Sequence, residues 1–330
     1  MKLTGTGFHT YEVQDDWAIL PEEMSRADIA DVGVDGQDNV FLFSRSMHQV
    51  LVLDADGKFS HAWGDRDMFP RPHGVTVGPD GAIWLTDVAD FTVRKCNAAG
   101  EVLLTLGRSG QSQPSFSGKP FGQCTHVAID PDDECVFVTD GYTDGSVHKF
   151  TPDGRHLFSW GEAGTDPGQF SLPHNVATDR DGYVYVADRH NARVQVFTRR
   201  GKLEHIWYGM ALPCGLHIDT VSGTQLAYLV EIGNMTHVVK SGYNVDPGWS
   251  SRAGLGHRVT IRTLDGSLVA RLMNHGTGIE PGQMIGPHGI SVDSHGNIYV
   301  AELAYGAAGL TDDLSVTLPT LRRLRRVGSD

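Results

Sequence analysis

The chain has 330 residues, with 40 Gly, 15 Pro, 40% apolar and 20% charged residues, a globular composition rich in chain-reversing residues that favours short strands over long helices. Lys and Arg number 27 against 40 Asp and Glu, and the formal charge of −13 excludes a surface built to track phosphates, so neither DNA nor RNA is an expected partner. No run of about 18 apolar residues suggests a membrane span, the opening residues carry no secretory signal, and Cys96, Cys124, Cys135 and Cys214 lack CxxC spacing, so the expectation is a soluble, cytoplasmic protein with reduced thiols.

In chain order, the predicted elements form one repeating unit. Its copies are ADVGVDGQDNVFLFSR (30–45), PHGVTVGPDGAIWLTD (72–87), CTHVAIDPDDECVFVTD (124–140), LPHNVATDRDGYVYVAD (172–188), a divergent LPCGLHIDTVSGTQLAYLVE (212–231) and GPHGISVDSHGNIYVAE (286–302). Each reads as an alternating strand, a Pro/Asp/Gly turn and a second strand, which is a hairpin. Shorter strand signatures such as GKFSHAWG (57–64) and GRHLFSWG (154–161) lie between them. Six copies with about four strands each predict an all-β, six-bladed β-propeller forming a single domain over 1–330. LPTLRRLRRV (318–327) and FHTYEVQDDWAIL (8–20) are expected to close the ring by sharing the last blade, which removes free sheet edges. Residues 232–258 read as a long loop insertion in the fifth blade, either a lid or binding loop or an uninformative insertion.

With the copies aligned, the slot at the entry of each innermost strand reads Ala30, His73, Thr125, His174, Cys214, His288. Histidines in blades two, four and six sit about 120° apart and can converge on the central axis. Three imidazoles with open positions suit a catalytic zinc, or another divalent transition metal. Thr125 and Cys214 occupy the same slot and are candidate channel-lining residues. His126 and His217 fall off the slot, and strand alternation turns them to another face as packing residues. A second register, Ser44, Asp87, Asp140, Asp188 and Glu302, reads as turn-capping. Next to it stand Arg45 and Arg189, on opposed blades, and one position further Tyr142. Two guanidiniums suit carboxylate recognition, and a phenol beside cations can have its pKa lowered enough to act as a base. Solvated rim residues are the plain alternative.

The phrases FPRPHGVTVGPDGAIWLTDVA, VFVTDGY, PGQFSLPHNVA, YVADRHNARVQVF and GPHGISVDSHGNIYVAE resemble the lyase half of peptidylglycine α-amidating enzymes, within the NHL-repeat propellers. The resemblance runs from about residue 28 to 197, weakens from 200 to 285 and returns in the last copy. It implies a zinc held by His73, His174 and His288, Tyr142 as base and Arg45 and Arg189 as active-site arginines. It also implies cleavage of the N–C bond of an α-hydroxyglycine-type carbinolamide to an amide and glyoxylate or a related α-oxo acid. Two departures stand out. Gly289 replaces the aspartate that helps hold the family's structural calcium, which puts calcium in doubt. Thr143, Tyr185 and Val196 replace cysteines of secreted members. The expected partner is a small-molecule substrate carrying a carboxylate near its reacting hydroxyl. A zinc-dependent hydrolase, lactonase or hydratase, and a non-catalytic NHL interaction module, remain alternatives, and the sequence leaves the oligomeric state open.

Overall fold

A computed structural model describes residues 2–220, 223–233, 256–310 and 317–327. The described strands form six antiparallel sheets arranged as the blades of a β-propeller. The inner pair of strands is Ile29–Val34 with Val40–Ser44 in blade one, and Pro72–Val77 with Ile83–Asp87 in blade two. Blades three and four begin with Cys124–Ile129 and Val136–Asp140, and with Pro173–Thr178 and Val184–Asp188. Blades five and six begin with Leu212–Ile218 and Leu226–Ile232, and with Pro287–Val292 and Ile298–Glu302.

The ring closes as the sequence implies. Leu321–Arg326 pairs with Ile298–Glu302, and His9–Gln14 pairs with Leu321–Arg326 from the other end of the chain. Lys2–Thr6 then adds a fifth strand to that sheet, which the repeat pattern does not announce. Of the 232–258 insertion, the described ends are Ile232–Gly233 and residues 256–258, and the rest lies outside the described residues.

Hairpin turns are set by aspartates whose carboxylates accept backbone N–H groups, as Asp179 does from Asp181 and Tyr183 and Asp293 from His295 and Asn297. Apolar residues of facing sheets interlock between blades. Tyr185, Ala187, Val194 and Val196 of blade four, for example, meet Leu216, Ile218, Ala227 and Leu229 of blade five. Each fully buried aliphatic side chain contributes roughly 1.5–3 kcal/mol. The outermost strands are stapled by tryptophans. The ring of Trp207 fills the space a side chain on Gly266 would need, 2.4 Å from a built Cβ, and Gly266 also has a φ of +88°.

One irregularity recurs in all six blades. The inner strand carries a register shift at Ala30, His73, Thr125, His174, Cys214 and His288, with Pro72 opposite Asp87 and Gly74 already opposite Thr86 in blade two. The slot residue is therefore the extra residue of a β-bulge. A bulge re-aims its side chain out of the normal alternation, here toward the axis.

Candidate metal centre

The bulges bring His73, His174 and His288 together at the centre of the ring. Each offers one nitrogen, and the three nitrogens lie within 4.8 Å of one another. All three side chains are buried, and their rings meet edge to face with centroids 4.7–4.9 Å apart.

Backbone carbonyls set the tautomer of each ring. Nδ1 of His73 donates to Thr125 O at 2.7 Å, Nδ1 of His174 to Cys214 O at 2.8 Å, and Nδ1 of His288 to Ala30 O at 2.7 Å. A carbonyl only accepts, so Nδ1 carries the proton and Nε2 is left with its lone pair for ligation. The six slots thus alternate in role around the ring: even blades present an imidazole, and the following blade presents the carbonyl that orients it. Burial pushes all three pKa values down, reinforced by the neighbouring histidines and by Arg45 and Arg189. His73 and His174 fall well below 6.5, and His288 falls to about 3. Three neutral imidazoles with converging lone pairs repel one another unless a cation joins them, so the donor set fits a divalent transition metal with room for water or substrate.

Neither Thr125 nor Cys214 lines open channel, contrary to the sequence expectation. Both are fully buried. The Thr125 hydroxyl is held within the inner strands, 2.9 Å from Pro173 O and 2.8 Å from Thr139 Oγ1. Burial raises the Cys214 thiol to about 11, opposed by Arg189, which keeps it protonated at neutral pH. Their contribution to the centre is the carbonyl.

Tyr142 stands against the open side of the cluster, its phenol oxygen 2.9 Å from His73 Nε2 and 3.3 Å from His174 Nε2. Burial raises its pKa, and Arg189, Arg45 and Arg71 oppose that shift. The sequence anticipates a lowered value from the arginines, whereas burial outweighs them. A cation held by the histidines would act in the same sense as the arginines.

Arg45 lays its guanidinium on Pro72 O, with Nε at 3.4 Å and Nη2 at 3.3 Å, beside the first ligand. Arg189 opens a 3₁₀ turn, Arg189–Asn191, and its charge acts on Tyr142, His174 and His288. Arg71 escapes the sequence reading. It lies two residues before His73, its N–H is held by Asp87 Oδ2 at 2.7 Å, and its charge reaches both Arg45 and Tyr142. Its signal is a departure from the repeat, since the equivalent positions before His174 and His288 are Leu172 and Gly286. Asp28, also missed, opposes the charge of Arg45 while accepting the Tyr305 N–H.

The acidic register caps, and what it caps are the segments that deliver the slot residues. Asp188 accepts from Ser171 N at 2.8 Å, Asp140 from Gln123 N at 2.6 Å, and Glu302 from Ile285 N at 2.7 Å. Glu231 does the same in blade five, accepting from Ala211 N at 2.7 Å. Beyond the histidines the axis widens into a cavity of about 570 Å³, lined by aliphatic residues, by charged residues including Asp35, Asp179, Arg180 and Asp219, and by His126 and His217, neither of which joins the ligand cluster. No helix among the described residues is long and apolar enough to cross a membrane.

Comparison with known proteins places this geometry in a class. The NHL repeat family matches residues 170–197, and a gluconolactonase from Xanthomonas campestris shares the fold with a TM-score of 0.61 at 14% identity, covering 97% of this chain and 91% of that one. Virginiamycin B lyase from Staphylococcus aureus follows at a TM-score of 0.58 and 12% identity, over 96% of this chain and all (100%) of the other. Both show the fold alone. The chain is a six-bladed β-propeller with an NHL repeat at residues 170–197.

Within that class its sequence is similar to amidating lyases and amidating monooxygenases, of which it spans less than half the length. It is 30% identical over 274 residues, 77% of its length, to peptidyl-alpha-hydroxyglycine alpha-amidating lyase 1 of Drosophila melanogaster, of which it spans 47%. It is 40% identical over 154 residues, 45% of its length, to peptidyl-glycine alpha-amidating monooxygenase A of Xenopus laevis, of which it spans only 16%.

Proposed function

We propose that the protein is a metal-dependent carbon–nitrogen lyase, with zinc at His73, His174 and His288, acting on an α-hydroxyglycine-type carbinolamide. The observation that carries this reading is the set of three imidazoles whose Nδ1 protons are all spent on carbonyls, with the Tyr142 phenol on two of their Nε2 atoms. Bound there, zinc would supply Lewis-acid polarisation of a substrate hydroxyl.

The chain's own residues do the rest. In its phenolate form, which the arginines and a bound cation would favour, Tyr142 receives the hydroxyl proton, the N–C bond breaks as the carbinol carbon becomes a carbonyl, and the departing nitrogen takes up that proton from the Tyr142 phenol. The products are an amide and glyoxylate or a related α-oxo acid, which balances the reaction. Arg45 and Arg189 hold the substrate carboxylate, a task for which the planar guanidinium fork is suited. The buried, unpaired cysteines fit a reducing, cytoplasmic setting.

Metal-loaded protein assayed on α-hydroxyhippurate is expected to release benzamide and glyoxylate. Turnover of lactones or other esters, with none of the carbinolamide, would transfer the site to the hydrolase reading.

A further inference from the structure

Two of the carbonyls that orient the ligand histidines belong to residues that immediately precede the members of one buried pair. Ala30 O, which receives His288 Nδ1, is followed by Asp31, and Thr125 O, which receives His73 Nδ1, is followed by His126. Asp31 Oδ2 and His126 Nε2 are 3.0 Å apart across the axis, 95 residues distant in the chain. The same Oδ2 accepts Val75 N at 2.9 Å, and Oδ1 accepts Val32 N at 2.9 Å. One carboxylate therefore ties the inner strands of blades one, two and three.

This pair packs directly against the ligand-bearing strands, and glycine makes the contact possible. A Cβ on Gly289, the residue after His288, would lie 2.0 Å from Asp31 Oδ1. A Cβ on Gly74, the residue after His73, would lie 2.8 Å from His126 Cδ2. Nδ1 of His126 is buried with no hydrogen-bond partner among the described residues, so Asp31 supplies the ring's hydrogen bond.

We infer that Asp31 and His126 form a positioning clasp that fixes the Ala30 and Thr125 carbonyls and, through them, the Nε2 directions of His288 and His73, so that the pair sets the metal affinity of the site. The inference rests on the reading of the three histidines as metal ligands. Groups that orient metal-bound histidines are worth about 10–100-fold in affinity. His174 takes its direction from Cys214 O and lies outside the clasp.

The test is zinc affinity of the metal-depleted full-length chain, measured by competition with a chromogenic chelator, a readout independent of catalysis. The His126→Leu variant is expected to bind zinc about 10–100-fold more weakly while still saturating at one ion per chain. His126→Gln places an amide N–H where Nε2 stands and is expected to restore most of the loss. His217→Leu, which changes the same cavity but removes no hydrogen bond of the pair, is expected to bind like wild type. If His126→Leu does not fold, Asp31→Asn serves, because it turns one acceptor oxygen into a donor facing N–H groups, and the same weakening is expected. Wild-type affinity in either variant, or an equal loss in His217→Leu, would overturn the clasp. A wild-type chain that takes up no zinc would instead remove the metal reading, and the clasp with it.

Discussion

His288 Nδ1 lies 2.7 Å from the carbonyl oxygen of Ala30, a residue 258 positions earlier in the chain. That hydrogen bond crosses the seam where the last blade meets the first, so one ligand is oriented only when the ring is closed. The other two histidines repeat the relationship between neighbouring blades, which makes the centre a product of the whole propeller.

Tyr142 follows from its position on two ligand nitrogens. Tyr142→Phe is expected to keep fold and metal content and to lose at least about 100-fold in turnover, the usual range for removal of a general base. Steady-state kinetics beside metal analysis reads both. A Phe variant turning over near the wild-type rate would take the phenol out of the mechanism.

The arginines define the substrate's charge. Arg45→Lys and Arg189→Lys are expected to weaken use of α-hydroxy acid or carbinolamide substrates, since lysine offers no bidentate fork. A panel pairing each acid with its methyl ester checks this. Equal turnover of acid and ester, with no penalty in either lysine variant, would defeat the carboxylate assignment.

Asp188 joins the cap to the core. It accepts the Ser171 N–H at 2.8 Å and the Nε–H of Arg193 at 2.7 Å, and the side chains of Asp188 and Arg193 are almost wholly buried. Asp188→Ala leaves the Arg193 charge without its partner, a change that costs about 3–5 kcal/mol. Urea unfolding measures it, and a loss below about 1 kcal/mol would show that Arg193 is satisfied by its bonds to the carbonyls of Thr165, Asp166 and Gln169 alone.

A pH dependence follows from His257, whose Nδ1 accepts the Gly233 N–H at 3.1 Å. Burial lowers its pKa from 6.5 to about 4. Below pH 6.5 the unfolded chain takes up a proton that the folded ring refuses until about pH 4. The contribution is therefore present above pH 6.5 and lost as pH falls through that window. Unfolding midpoints between pH 7 and 4.5 should drop less steeply in His257→Gln than in wild type. Identical slopes would assign the acid sensitivity to other groups.

Much of this was legible in the repeat. The slot of His73, His174 and His288 could be read because the blade phrase recurs with little variation, and the ring closure because strand signatures stood at both ends. The bulge was hidden, since one extra residue at a strand entry leaves the alternating pattern intact. Ala30, Thr125 and Cys214 act through backbone carbonyls, which side-chain identity does not mark. Glu231 sat inside the divergent fifth copy, and Asp31 and His126 are paired only by the three-dimensional approach that Gly74 and Gly289 permit.

The central claim is tested most directly by the metal content of the protein after depletion and reconstitution with zinc, determined by elemental analysis against chain concentration. About one zinc per wild-type chain is expected, with none retained when His73, His174 and His288 are all replaced by alanine. Full occupancy in the triple variant, or none in a folded wild-type chain, would contradict it.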